Sequence, residues 1–266
     1  SVFTSLAQFP IMLRAALRPA LRASFSAQAR PFATSLANAK VAVVLSGCGV
    51  YDGSEVQESV FVLNAISRRG GTYAAFAPDK PQMHAVDHTA GTEHPETRNV
   101  LQESARIARG AVKPLGELKE GDYDAVVFPG GFGAAKNLSD FATKGPEMSV
   151  DPEVSQVITS FHEAKKPIGM CCIAPVLVAR VLAHHGVEVT VGSDQESEAY
   201  PYAGAAGAIA SFGAKHVVKP LGEAHVDVAN RVATSTAYMC NTAPIHEIGE
   251  SVEAMVEEVA KMVAEK

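Results

Sequence analysis

The chain contains no tryptophan and only 6% aromatic residues, so its core has to be built from aliphatic side chains rather than large rings. No uninterrupted apolar stretch approaches the roughly 20 residues that cross a bilayer, and membrane insertion is not expected. Inside the globular part there is no Lys/Arg-rich run. The formal charge is −6 with a pI near 5.8, which offers no basic surface to a phosphate backbone, so no nucleic-acid partner is expected. The four cysteines, Cys48, Cys171, Cys172 and Cys240, contain no CxxC spacing. Adjacent cysteines cannot both enter one tetrahedral site without strain, so no metal site is expected and free thiols are the default state.

Acidic residues are missing from the first 51 positions, Asp52 being the first, whereas Arg14, Arg18, Arg22 and Arg30 all fall in residues 1–39. Leu13, Leu17 and Leu21 recur every fourth residue beside three of those arginines. A helix there carries one apolar and one cationic stripe, the pattern of a mitochondrial transit peptide, and a disordered basic tail is the alternative. The expected location is therefore the mitochondrial matrix, with residues 40–266 forming one domain. Loss of the four arginines would take the charge from −6 to −10.

From Lys40 onward short apolar runs alternate with amphipathic stretches, a rhythm that predicts an α/β fold with a mostly parallel sheet covered on both faces. Strands are predicted over 41–46, 72–77, 125–128, 168–171, 187–191 and 231–234. Helices are predicted over 54–69, opened by Ser54 with Gln57 three residues on, and over 97–109, 152–164, 173–184 and 245–264. The segment with His84, His88 and His94 reads as a long polar connection.

The tightest junction is Pro167-Ile168-Gly169-Met170-Cys171-Cys172-Ile173-Ala174-Pro175. A strand turning straight into a helix strains the residue at the turn and lifts its side chain clear, the geometry of a nucleophile elbow. Cys172 fits that turn, since Pro175 suits a first helical turn, and Cys171 would then point into the core. Amides and the positive end of the helix dipole would draw the Cys172 pKa below the free value of about 8.5. Gly130 and Gly131, after another strand, offer unobstructed amides as a candidate oxyanion hole. The loop Ser46-Gly47-Cys48-Gly49-Val50-Tyr51-Asp52-Gly53 imitates a dinucleotide-binding turn, but Asp52 and Glu55 would repel a pyrophosphate, so no cofactor is expected. Glu55 is read instead as the proton partner of the thiol, with N-terminal helix stabilisation as its alternative role.

The stretches Leu45-Ser-Gly-Cys-Gly-Val-Tyr-Asp-Gly-Ser-Glu55, Thr97-Arg-Asn-Val-Leu101, Phe128-Pro-Gly-Gly-Phe-Gly-Ala-Ala-Lys-Asn-Leu138 and Cys172-Ile-Ala-Pro175 resemble the family of the bacterial isoprenoid-biosynthesis protein ElbB and its mitochondrial, glutamine amidotransferase-like relatives. That family lies within the superfamily of the parkinsonism-associated deglycase and the PfpI endopeptidases. The resemblance implies a flavodoxin-like three-layer sandwich, a homodimer, a cysteine on the elbow at Cys172, a first-helix glutamate carried over to Glu55, and flanking amides at Gly130 and Gly131. The strand after the elbow helix, Val189-Thr190-Val191-Gly192-Ser193, lacks the histidine of the deglycase branch. His184 and His185 lie about 18 Å from Cys172 at ~1.5 Å per helical residue, and His225 reads as a surface residue.

The leading functional expectation is a cysteine-dependent glyoxalase or deglycase acting on small α-oxoaldehydes or glycation adducts. The alternatives are a redox-responsive or structural protein with an oxidisable Cys172, and a glutaminase, which would need a His-acid pair that the sequence does not show.

Overall fold

In the computed structural model, which describes residues 35–265, the apolar runs become the strands of one seven-stranded sheet. Its members are β1 (Lys40–Val44), β2 (Thr72–Ala77), β5 (Val112–Pro114), β6 (Ala125–Phe128), β7 (Ile168–Cys171), β10 (Ala224–Asp227) and β11 (Val232–Ser235), ordered β10-β11-β7-β6-β1-β2-β5. All neighbours are parallel except β10, which runs antiparallel to β11 at one edge. The middle strands β6 and β7 are buried at every position and β1 at all but Lys40, as strands covered on both faces must be. Two short pairs stand apart: β3 (Ala85–Asp87) with β4 (Thr92–His94), and β8 (Glu188–Val189) with β9 (Lys215–His216).

The helices are α1 (Val56–Arg68), α2 (Val100–Ile107), α3 (Phe132–Lys136), α4 (Phe141–Lys144), α5 (Pro152–Glu163), α6 (Pro175–Val181), α7 (Gly204–Ser211) and α8 (Ile245–Ala264). They flank the sheet in the arrangement of a flavodoxin-like three-layer sandwich. In one group α8 packs on α1, β7 and β11; in another α6 packs between α5 and α7. Amphipathic spacing explains the packing of α8, whose buried residues Ile248, Val252, Met255, Val256 and Val259 recur at helical intervals.

Most expected elements appear, with corrections. The leader expected over 1–39 lies outside the described residues up to residue 34. Residues 35–39 already belong to the domain, because Leu36 is buried and its amide donates to Arg69 O at 2.9 Å. The polar connection with three histidines contains the β3–β4 hairpin. The strand expected over 187–191 shrinks to two residues and leaves the main sheet for β9. The elbow helix begins at Pro175 rather than Ile173.

One contact defines how closely α8 approaches the sheet. A Cβ added at Gly169 on β7 would stand 2.6 Å from Met255 Sδ and 2.8 Å from Val259 Cγ2. Gly169→Ala is expected to destabilise the domain by about 1–3 kcal/mol through overpacking, lowering the melting temperature by roughly 2–4 °C per kcal/mol. Thermal unfolding of the two proteins checks this, and an unshifted midpoint would mean that α8 is not seated on β7 so tightly.

Candidate active site

The carboxyl ends of β1, β6 and β7 bring three loops together. Cys172 follows β7 directly and holds φ at 59°, a left-handed conformation that a cysteine adopts only when its surroundings enforce it. The enforcement is visible: the Cys172 amide donates to Ser235 O at 3.0 Å, and Ala174 N closes back on Cys171 O at 3.1 Å. The expected elbow is therefore present. Its side chain is 8% exposed and lines a cavity of about 910 Å³.

The carboxyl that serves this thiol is Glu58, not Glu55. Glu58 has 0% exposure and accepts the amides of Gly130 and Tyr238, each at 3.0 Å. Both thiols lie near it: Cys171 donates to its Oε2 at 3.8 Å, and Cys172, on the other side of Gly130, is close enough for the two groups to shift each other's pKa. Burial, reinforced by the charge of Glu55, raises the Glu58 pKa from 4.5 to about 7. Glu55, the N-cap of α1, accepts Glu58 N at 2.6 Å, so its alternative role as a helix-stabilising acid is the one the geometry supports. It still borders the cavity, and burial raises its pKa too. A signal for Glu58 existed in the sequence. Glu58, Val62, Ala65 and Ile66 form the buried stripe of α1, and an acid on an apolar stripe needs a reason to be there.

The two glycines of the candidate oxyanion hole separate in role. Gly130 spends its amide on Glu58, and it must be glycine because a Cβ there would lie 2.4 Å from Cys172 Cβ and 2.5 Å from Glu58 Oε2. Gly131, at φ 99°, directs its amide to the Cys172 sulfur, as does Ile173. The amides that face the thiol are thus those of Gly131 and Ile173. The expectation of a depressed thiol pKa is overturned. Burial, then the Glu58 charge, push Cys172 well above the ordinary thiol range, against the smaller opposing pull of the two amides. Cys171 is raised in the same way and lies in the core, as its position implied.

Among the described residues no histidine lines the cavity. His184 and His185 sit beyond the far end of α6, stacked with His162. His225 is half-buried and faces Glu188 at 3.4 Å, so it is not the free surface residue expected. His84 and His88 belong to the hairpin segment, and no group of three donors among the described residues is placed to hold a metal ion. The hairpin is a wall of the cavity, contributing Val86, Gly91 and Glu93, and its inner strand is pinned where Val86 N donates to Asp52 Oδ2 at 2.7 Å.

Comparison with known proteins agrees with this architecture. The chain is 55% identical over 226 residues to the human mitochondrial glutamine amidotransferase-like class 1 domain-containing protein 3, covering 84% of this chain and 83% of that one. It is 35% identical over 237 residues to the mitochondrial ES1 protein of Danio rerio, covering 85% and 87%. The crystal structure of an isoprenoid biosynthesis protein with an amidotransferase-like domain from Ehrlichia chaffeensis superposes with a TM-score of 0.76 at 34% identity, covering 84% of this chain and 99% of that chain. No family model matches the chain.

The raised Glu58 pKa fixes the sign of a stability change with pH. A folded-state value above the unfolded one means the fold favours the protonated acid, so the contribution is fully present below about pH 4.5 and is lost as pH rises through about 7. The loss amounts to about 3 kcal/mol. Urea unfolding free energies should fall across this window in the wild type and flatten in Glu58→Gln; parallel curves would contradict the assignment of the titrating group.

Proposed function

This chain belongs to the family of mitochondrial glutamine amidotransferase-like class 1 domain-containing protein 3 and the ES1 proteins, and from that premise we propose that it is a matrix enzyme of glyoxalase type, using Cys172 to convert small α-oxoaldehydes to 2-hydroxy acids. The observation that carries this reading is the pairing of the elbow thiol with a buried carboxyl whose pKa lies near 7. A base poised close to operating pH, in contact with a nucleophile at a cavity floor, is arranged for proton transfer.

The steps follow from the geometry. Cys172 Sγ attacks the aldehyde carbon while the thiol proton passes to the Glu58 carboxylate, so the carbonyl π bond becomes an oxyanion held by the Gly131 and Ile173 amides. Glu58 returns the proton to that oxygen, giving a hemithioacetal. It next takes the aldehydic hydrogen as a proton and delivers one to the neighbouring ketone carbon, while the hydroxyl proton on the first carbon passes to the ketone oxygen. The first carbon is thereby oxidised to a thioester and the second reduced to an alcohol. Water cleaves the thioester and restores the thiol, so the net change is addition of one water molecule. Glycation adducts that present the same oxoaldehyde unit would enter by the same first step.

The raised thiol pKa bears on the competing reading, a redox-responsive or structural protein. That reading gains from the histidine-free cavity, but peroxide oxidises thiolates, and a thiol held neutral by burial and a neighbouring carboxylate is poorly disposed to it.

With methylglyoxal as substrate and 2-hydroxy acid as the measured product, Cys172→Ala should abolish turnover. Glu58→Gln should lower it by about 10²–10⁴-fold as expected for loss of a general base. Glu55→Gln should cost far less. For the wild type, kcat/KM should rise as pH passes through about 7, where Glu58 ionises. Equal rates in wild type and Cys172→Ala would end the proposal.

A further inference from the structure

A cavity of about 910 Å³ is at the upper end of the range for ligand pockets, and a three-carbon aldehyde would occupy only its floor. The wall formed by α3 offers a cation. Lys136, the last residue of α3, is half-buried and lines the same cavity as Cys172. Its Nζ donates to Tyr51 O at 2.9 Å and stands 5.8 Å from the centroid of the Phe132 ring. It forms no ion pair among the described residues, whereas Lys144 in the next helix pairs with Asp140 at 2.7 Å. An ammonium group has three donors, so two remain for a ligand after Tyr51 O is satisfied.

The acids around the cavity do not supply the missing counter-ion. Glu55 caps α1 through Glu58 N. Glu93, with a side chain 69% exposed, faces His84 at 3.4 Å, and Glu196 is exposed.

We propose that Lys136 is a specificity-determining residue that anchors a carboxylate on the substrate, so that the preferred substrates are α-oxoaldehydes bearing an acid group several bonds beyond the ketone. The inference rests on the glyoxalase reading of Cys172. The placement supports it: Gly131 caps the start of α3 and Lys136 is its last residue, and both line the same cavity as Cys172. Methylglyoxal carries no anionic group for this ammonium, whereas a five-carbon oxoaldehyde acid carries one at its far end. For 4,5-dioxopentanoate the reaction is again addition of one water, yielding 2-hydroxyglutarate.

The test compares kcat/KM for 4,5-dioxopentanoate and methylglyoxal in the wild type, Lys136→Gln and Lys136→Arg. The wild type should prefer the acid by about tenfold or more, as for a charge-assisted hydrogen bond. Lys136→Gln should bring that ratio to about one, chiefly through KM, and Lys136→Arg should restore part of it. The same ratio in wild type and Lys136→Gln, with methylglyoxal still turned over, would overturn the anchor and leave the glyoxalase reading standing. Should neither aldehyde be turned over, that reading fails, and a second measurement decides on the anchor. Glutarate should slow alkylation of Cys172 by iodoacetamide in the wild type and not in Lys136→Gln; equal protection, or none in either protein, would overturn it.

Discussion

A carboxyl group buried without a cation beside it is the constraint on which this site depends. Glu58 has no exposure and makes no ion pair among the described residues; its partners are two backbone amides and two thiols. Removing such a group from water is costly unless its lone pairs are satisfied, and several elements are shaped to satisfy them. Gly130 has to lack a side chain so that its amide can approach. Tyr238 presents its amide only because Ala237, at φ 43°, turns the chain after β11, a strained conformation held by Ser251 Oγ on α8 at 3.1 Å from the Ala237 amide. Strand ends, the first helix and the last helix thus converge on one carboxyl.

The same burial determines how the cysteine behaves. A thiol next to this carboxyl is held neutral, since a thiolate would be desolvated and would face a second negative charge. The proton between them is better regarded as belonging to the pair than to either residue. A thiol of this kind differs from the low-pKa cysteines of redox enzymes: in the proposed reaction it becomes a nucleophile as its proton leaves, during attack on an electrophile that fits the amides of Gly131 and Ile173. In the proposed reaction reactivity is tied to recognition, and a thiol held neutral is slower to meet alkylating or oxidising agents than a thiolate is.

What was legible in the sequence was whatever local chemistry dictates. Small residues before Cys172 and Pro175 after it leave little choice but an elbow, and the buried strands announce themselves as apolar runs. The identity of the acid was harder, because it turns on helical phase. Glu55 and Glu58 lie three residues apart, and only the start of α1 at Val56 makes the first a cap and the second a buried partner. The thiol pKa was misjudged for a different reason. A dipole argument counts the few peptides of α6 and omits the carboxyl across the sheet edge, contributed by a helix over a hundred positions earlier. The β3–β4 hairpin escaped notice because its six strand residues include two aspartate or glutamate side chains and one histidine and show none of the alternation that marks a half-buried strand.

The cavity divides into a floor and walls of different origin, and that division bears on how the site works. The floor, Cys172 with the amides of Gly131 and Ile173, follows strand ends that the packed core holds rigidly, and Glu58 of α1 lies buried beneath it. The walls come from the β3–β4 hairpin, from α3 and from the segment that leads into α7, each of which turns some residues to solvent, among them Tyr51, Glu93 and Tyr202. Loops of this kind accept substitution more readily than strand ends do. The bond-making groups are therefore fixed by the architecture of the sheet, whereas the charge and shape that a substrate meets on entry are set by residues such as Lys136, Tyr51 and Tyr202 that can vary without disturbing the buried carboxyl. A common floor with changeable walls is how one fold can retain its proton chemistry while the molecules it admits differ.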